Sequence, residues 1–402
     1  MGEVPRSVLV VGASLAGYST ARALRAHGYD GAITVVGEEA ERPYDRPPLS
    51  KTYLTGRIGD ADLSLEPEGE RLGVEWLLGT RAVGLDVATR TVTLDDGREL
   101  GGDAVVLATG GQPHRLPGTA DGLGGVHGLR SLADARALRE DLRPGARLVV
   151  VGAGFVGAET ACSARQLGLE VTVIEAAPAP LAASLGVELG LAVASVHQRH
   201  GVRLELGVPV AGLTGSDRVT GVELLDGTVV PADVVVVGIG SRPAVDWLAG
   251  SGLDLTGGVV ASSTGAVAPG IWAVGDCSAW YDRARGGAHR TEHWTDAFER
   301  PAVVARSMLG LPPGALRAPY FWSEQYGIMI QFAGRYTGGE HVVVEAGSAE
   351  TGDLLATYRR SGPGGREQVV AVLGMDQPRL FTRARRSLPG LDVAPDHEDQ
   401  PA

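Results

Sequence analysis

The sequence Ser7-Val-Leu-Val-Val-Gly-Ala-Ser-Leu-Ala-Gly17 leads into a helical run, Tyr18 to Ala26, and then into Ala32-Ile-Thr-Val-Val-Gly-Glu38. The apolar run Val8 to Val11 reads as a buried parallel strand. Small residues from Gly12 to Gly17 form a turn that opens a helix, and Ile33 to Val36 is a second apolar strand ending near an acid. This is the βαβ pattern of a dinucleotide site. Gly12 permits the sharp turn and Gly17 the close approach of helix and strand. Ser14, Leu15 and Ala16 complete the turn, whose backbone N–H groups are expected to face a pyrophosphate. Glu38 stands where a carboxylate accepts from ribose hydroxyls. Ser14 replaces the middle glycine: its side chain intrudes on the approach to phosphate, and its hydroxyl is able to donate there.

At Arg147 the pattern repeats. Leu148 to Val151 is a strand, Gly152-Ala-Gly154-Phe155-Val156-Gly157-Ala-Glu159 is a complete glycine turn, and the strand Val171 to Ile174 ends at Glu175. The turns begin 140 residues apart, and their acids follow at 26 and 23 residues. Two dinucleotide sites in one chain is the most informative feature of the sequence. Ala176-Ala177-Pro178 supplies no cation, and a carboxylate at that strand end repels a 2′-phosphate, so NADH is expected over NADPH.

The 402 residues suffice for two or three domains, and 44% apolar against 21% charged residues provides for a substantial core. A net charge of −12 argues against general nucleic-acid binding. Cys162 and Cys277 build neither a disulfide framework nor a zinc spacing, so no metal is expected and a reducing cytoplasm is. The N-terminus has no signal-peptide pattern, and no run of 18 apolar residues suggests a membrane span. The reading is a soluble cytoplasmic protein.

Between the repeats lies a long proline-rich connection, residues 39–57, of the kind often functional in compact domains. Short strands follow at Val74 to Leu78, Ala82 to Asp86 and Thr91 to Leu94, with a turn at Asp96-Gly97. Asp103 to Ala108 is an apolar strand, and residues 111–125 read as a crossing between domains. Asp233 to Val237 leads to Gly238-Ile239-Gly240, and the strand from Ile271 ends at Gly275-Asp276. His293 to Leu309 reads as a helix that Pro301 should kink or interrupt. From Pro319 the pattern changes to aromatic, alternating strands, then a short Arg-rich helix near Arg379 to Leu388 and an acidic tail over 394–402. The expected fold class is α/β, with two Rossmann-like dinucleotide-binding domains and a C-terminal α+β domain. The boundaries are 1–114 with 244–318, then 115–243, then 319–402.

Taken together, Arg46-Pro-Pro-Leu-Ser-Lys51, Ala108-Thr109-Gly110, Gly275-Asp276, Glu292-His293-Trp294 and Phe321-Trp322-Ser323 join the two glycine turns in a recognisable order. Over nearly its whole length the chain resembles the FAD-dependent ferredoxin reductases of oxygenase systems, the putidaredoxin reductase and biphenyl dioxygenase reductase type of glutathione-reductase-like flavoprotein. The resemblance implies FAD in the first site, NADH in the second and a [2Fe–2S] ferredoxin as partner. It implies that Gly12, Ser14, Leu15, Ala16, Gly17, Glu38, Arg46, Lys51, Val83, Ala108, Thr109, Gly110, Arg130, Asp276 and Trp294 hold FAD. Gly152, Gly154, Phe155, Val156, Gly157, Glu159, Glu175, Gly238, Ile239 and Gly240 would hold NADH. Lys51, Glu159 and Trp322 are the implied catalytic group, with Lys51 and Glu159 pairing across the site. Pro301 and Ala182-Ala183-Ser184, where relatives often carry an arginine near the NAD ribose, depart from the family pattern.

The residues themselves agree with this in several places. A cation such as Lys51 suits a flavin accepting hydride, and a helix starting near Trp294 directs its positive dipole end to the reduced ring. The nearest rival, a disulfide reductase or NADH oxidase, needs a redox cysteine in Arg42 to Thr55, which has none. Cys162 reads as core and Cys277 as a weak thiol candidate. Two alternatives stay open: an NADH-responsive flavoprotein that signals by interaction, and a rubredoxin reductase. His197 and His200 read as a solvated helix face, and the arginines at 379, 383, 385 and 386 as a solvated helix or a patch that steers an acidic ferredoxin. Composition leaves the oligomeric state open.

Overall fold

The computed structural model describes residues 3–117, 122–362 and 366–393. Part of the expected crossing at 111–125 and all of the tail at 394–402 lie outside these residues. The helices described are α1 (Leu15–Ala26), α2 (Leu132–Asp141), α3 (Phe155–Gln166), α4 (Ala182–Arg199), α5 (Trp294–Met308) and α6 (Pro378–Arg385).

Two parallel sheets are built on the two repeats. The first runs, edge to edge, Ala266–Ala268, Ile271–Ala273, Ala104–Leu107, Ser7–Val11, Ala32–Gly37, Val74–Leu78; only Ala266–Ala268 is antiparallel. Val74–Leu78 thus closes this sheet instead of joining the small antiparallel unit that begins at Ala82. The second sheet is parallel throughout: Arg203–Leu206, Glu170–Glu175, Arg147–Val151, Val234–Val237, Val126–His127. Central strands are near-continuous Val and Leu because both sheet faces are covered, and Val10, Val106, Val150 and Val236 are fully buried.

The repeats agree in detail through their helices. Gly12 N–H donates to Val36 O and Gly152 N–H to Ile174 O, each at 2.8 Å. Thr20 Oγ1 donates to Ala16 O and Thr160 Oγ1 to Val156 O, each at 2.7 Å. Arg25 ties down Tyr29 O at 2.7 Å, and Arg165 ties down Leu169 O at 2.6 Å.

The third unit is an antiparallel sheet ordered Tyr320–Gln325, Ile328–Gly334, Glu367–Met375, Asp353–Ser361, His341–Ser348, with α6 against it. Its first hairpin turns at Tyr326-Gly327, both with positive φ (55° and 80°), as a two-residue type I′ connection requires. Phe321, Phe332 and Tyr358 pack on Leu185, Leu189 and Val193 of α4, so this sheet is seated on the second nucleotide unit.

Pro301 and His197 depart from what their local sequence predicts. Helix α5 continues through Pro301 from Trp294 to Met308, so of the two outcomes expected of the proline, a kink or an end, the end does not occur. His197 is not solvated: it is 2% exposed, covered by the Tyr326 hairpin, while His200 beside it is exposed.

Candidate active site

The first glycine turn opens an elongated cleft. One part, about 780 Å³, is lined by Gly12, Ser14, Glu38, Glu39, Arg46, Val83, Thr109, Gly110, Arg130 and Trp247 among others. An adjoining part of about 240 Å³ shares Ser14, Arg46, Ala108, Gly110 and Arg130 with it. It extends past Leu15, Ala16, Lys51 and Asp276 to Phe155, Val156, Glu159, Trp294 and Trp322. The start of α3 therefore faces the same space as the start of α1.

The turns are made of glycines that nothing larger replaces. A Cβ at Gly12 would lie 2.1 Å from Ala108 O, and one at Gly152 would lie 2.4 Å from Gly238 O. At Gly17 and Gly157 it would meet the turn's own first carbonyl at 1.9 and 2.1 Å. Gly154 differs, since a Cβ there finds only Gly238 O at 3.9 Å. Both helices start without a side-chain cap or a first-turn acid, which leaves their N-terminal N–H groups for an anion. Gly238 packs beneath the second turn, Gly240 adopts positive φ, and Ile239 is exposed. Two phosphate cradles on one cleft system fit two dinucleotides.

Ser14 does not point its hydroxyl freely at the phosphate position. Its Oγ accepts from Arg46 Nη2 at 2.8 Å. The same guanidinium pairs with Glu39 Oε1 at 2.5 Å and donates to the carbonyl of Arg130. Arg130 in turn donates to Asp276 Oδ2 at 2.9 Å. The long loop after Glu38 is thus latched to the turn and to the strand end carrying Asp276. Among the described residues Glu38 itself has no ion pair, and it lines the cleft beside Val83 and Trp247. Glu175 is oriented by Ala153 N–H at 2.7 Å and Ala177 N–H at 2.8 Å, one on each oxygen, and each oxygen keeps a further lone pair for a hydroxyl.

At the other end Lys51 Nζ lies 2.6 Å from Glu159 Oε2. Glu159, 5% exposed, also accepts from Ser50 Oγ at 2.5 Å and from Ser323 Oγ at 2.7 Å. Lys51 owes its place to the short 3₁₀ turn Pro47–Ser50, and Glu159 to its position one turn into α3. Trp294 donates its indole N–H to Asp45 Oδ1 at 2.7 Å. Burial raises the Asp45 carboxyl above its ordinary range, against the pull of Trp294 and Lys51. Trp322 meets Trp294 edge to face at 5.6 Å and stacks on Tyr320 at 5.9 Å, and Arg385 lies 4.0 Å over Tyr320. Arg385 is therefore half-buried, and Arg379, Arg383 and Arg386 are exposed.

Neither cysteine enters the cleft. Burial raises both thiols, and Cys277, fully buried, donates to the carbonyls of Leu107 and Val274. The thiol candidacy of Cys277 is thereby withdrawn. Sequence reasoning missed Glu39, Tyr44, Asp45, Ser50, Ser323 and Trp247. Ser50 and Ser323 lie within quoted motifs, and Glu39 adjoins the acid named. Tyr44, whose hydroxyl donates to Glu39 and accepts from Leu132 N–H, and Asp45 directly precede the Arg46 motif, and Trp247 left no comparable signal.

A cleft served by two such turns, ending at a cation–carboxylate pair and paired tryptophans, defines a two-nucleotide oxidoreductase. A family model described as pyridine nucleotide-disulphide oxidoreductase matches residues 6–300, and one described as reductase C-terminal matches residues 320–397. The chain belongs to the pyridine nucleotide-disulphide oxidoreductases, in the group of ferredoxin reductases of oxygenase systems. It is 38% identical over 383 residues to a chlorobenzene dioxygenase ferredoxin reductase component of Cupriavidus sp. (strain PS12), covering 94% of this chain and 91% of that one. It is 38% identical over 355 residues to the biphenyl dioxygenase system ferredoxin–NAD(+) reductase component of Paraburkholderia xenovorans (strain LB400), covering 88% and 86%. The crystal structure of a covalent putidaredoxin reductase–putidaredoxin complex is similar in fold, with a TM-score of 0.89 at 32% identity, covering 95% of this chain and 92% of that one.

Proposed function

We propose that the chain is a ferredoxin reductase that takes reducing equivalents from NADH and delivers them to a [2Fe–2S] ferredoxin serving an oxygenase. The observation that carries this is the shared cleft: Phe155, Val156 and Glu159 of the second turn and helix line the same space as Ser14, Leu15 and Ala16 of the first. A nicotinamide and a flavin held by the two turns would meet there. FAD, when bound, converts a two-electron input to single-electron output.

The chain's own residues position and bias. Residues 1–114 with 244–318 hold FAD, 115–243 hold NADH, and 319–402 form the interface domain. Gly12, Gly17 and the N–H groups of Leu15 and Ala16 would take the pyrophosphate, Glu38 the ribose, Val83 and Arg130 the adenine and phosphate side, and Asp276 the ribitol, with Arg46 and Lys51 approaching the flavin. Glu175 selects NADH by accepting ribose hydroxyls. Lys51, fixed by Glu159, stands at the hydride-accepting end, and the dipole of α5 begins there at Trp294. Trp322, backed by Tyr320 and Arg385, is the exit toward the ferredoxin, and the exposed arginines of α6 steer an acidic partner on a chain of net charge −12. Among the described residues no helix is long and apolar enough to cross a membrane, and two free, buried cysteines support a cytoplasmic setting.

The test is NADH-dependent cytochrome c reduction by the FAD-loaded protein, with and without added [2Fe–2S] ferredoxins. Strong stimulation by a ferredoxin, with NADH preferred to NADPH, is expected. Fast flavin reduction with no stimulation by any ferredoxin would sink the acceptor assignment. Stimulation by a rubredoxin alone would replace it.

A further inference from the structure

Behind Glu159 runs a line of buried polar side chains that the reaction as described does not use. Ser323 Oγ lies 2.7 Å from Glu159 Oε1, Gln325 Nε2 lies 3.0 Å from Ser323 Oγ, and His197 Nε2 lies 2.8 Å from Gln325 Oε1. Tyr326 OH closes the line 3.2 Å from His197 Nδ1. Ser323 and Gln325 are 0% exposed and His197 is 2% exposed. The line crosses from the flavin end of the cleft, through the first strand of the C-terminal sheet, into α4 of the second nucleotide unit.

Its direction follows from its end. A carboxylate only accepts, so the Ser323 hydroxyl must donate to Glu159. Ser323 Oγ then accepts from the Gln325 amide N–H, which turns Gln325 Oε1 toward His197. His197 must therefore carry its proton on Nε2, and its Nδ1 accepts from Tyr326. Each member has one orientation only, and every donor points toward Glu159. Burial independently pushes His197 down to about 4, which keeps it neutral near pH 7. The far end is anchored. Tyr326 sits at positive φ in the hairpin turn, its N–H donates to Cys162 Sγ at 3.1 Å, and its ring stacks on His200 at 3.9 Å.

We propose that His197, Gln325 and Ser323 are positioning residues for the hydride step, holding Glu159 in the orientation that gives its other oxygen to Lys51. The proposal rests on the hydride-transfer reading above. With Oε1 filled by Ser323, Oε2 is left for Lys51 and Ser50, and the ammonium stays at the mouth where nicotinamide and flavin meet. Without that donor Oε1 loses its partner, Glu159 is held through Oε2 alone by Ser50 and Lys51, and the ammonium is less sharply placed.

Anaerobic stopped-flow mixing of the FAD-loaded protein with NADH separates the half-saturating NADH concentration from the limiting rate of flavin reduction. Ser323→Ala is expected to lower the limiting rate at least about tenfold while half-saturation stays within about twofold. Gln325→Met should lower it less. The double variant should be no slower than Ser323→Ala alone, because Gln325 acts only through Ser323. Ser323→Thr should restore the rate. A second readout needs no turnover: ¹⁵N NMR of His197 should show the neutral Nε2–H tautomer, and Gln325→Met should abolish that preference. Unchanged limiting rates in both single variants, additive losses in the double, or an Nδ1–H tautomer in the wild type would each overturn the proposal. A wild-type protein whose flavin NADH does not reduce would overturn the functional reading, and this inference with it.

Discussion

The two glycine turns are near copies, and they part company one helical turn further on. From Gly12 to Tyr29 and from Gly152 to Leu169 the same hydrogen bonds recur at an offset of 140 residues. Seven residues into each turn the copies diverge. The first has Ser19, whose buried hydroxyl has no partner among the described residues, and the second has Glu159, which takes three donors from two other parts of the chain. The acids after the second strands diverge too. Glu175 directly follows Ile174, but Gly37 holds the matching place after Val36, because a Cβ there would lie 2.4 Å from Ala13 Cβ. The acid of the first copy is displaced to Glu38. The cradle is thus held constant by backbone sterics, while side chains beyond it adapt each copy to its own partner.

The sharpest break of this comparison is steric. Gly157→Ala forces a Cβ to 2.1 Å from Gly152 O and should cost about 3 kcal/mol or more in urea denaturation. Gly154→Ala meets nothing closer than 3.9 Å and should leave stability unchanged while NADH binding weakens. Equal losses would mean that the middle glycine is also structural. Next comes pH, through the packing behind α3 that α1 lacks. The His197 pKa is lowered to about 4, so between the unfolded value near 6.5 and about 4 only the unfolded chain takes up this proton. The stability is present in full above pH 6.5 and falls as pH drops through that window, by about 3 kcal/mol in all. A flat difference in that window between wild type and His197→Phe would contradict this.

Smaller effects distinguish the two acids. Glu175→Ala should raise the half-saturating NADH concentration about tenfold, roughly 1.4 kcal/mol, and leave FAD content unchanged. Glu38→Ala should do the reverse, weakening FAD retention with NADH affinity kept. Steady-state kinetics with a flavin-content assay reads both. The smallest effect belongs to Ser14→Ala, which removes one of the three acceptors of Arg46 and should cost FAD binding about 1 kcal/mol, measured by flavin release on dilution.

What could be read from the sequence follows the range of the forces involved. Both βαβ units were legible because strand, turn, helix and acid are local, and the glycines are demanded by backbone within a few residues. The antiparallel nature of the C-terminal unit was legible from strand alternation. His197 was not, because its burial comes from a hairpin more than 120 residues away, and a histidine near a polar helix end looks solvated until that hairpin covers it. Pro301 misled for a related reason: local propensity opposes a helix there, and the packing of Val303, Val304 and Met308 of α5 into the first core overrides it. Ser323 stood inside a quoted motif, but only the fold shows that its hydroxyl turns to Glu159 while neighbouring Trp322 turns to the opposite side of the strand.

The order of strands in the first sheet bears on synthesis. Ser7–Val11, Ala32–Gly37, Val74–Leu78 and Ala104–Leu107 leave the ribosome early, but the neighbour of Ala104–Leu107, Ile271–Ala273, emerges some 160 residues later. The whole second sheet, ending at Val237, is translated in that interval. The nascent chain therefore holds an apolar strand with one open edge while a complete parallel sheet forms downstream of it, and the middle unit is finished before the one that precedes it. A chaperone acting during translation would find its client in that interval, at the edge of Ala104–Leu107.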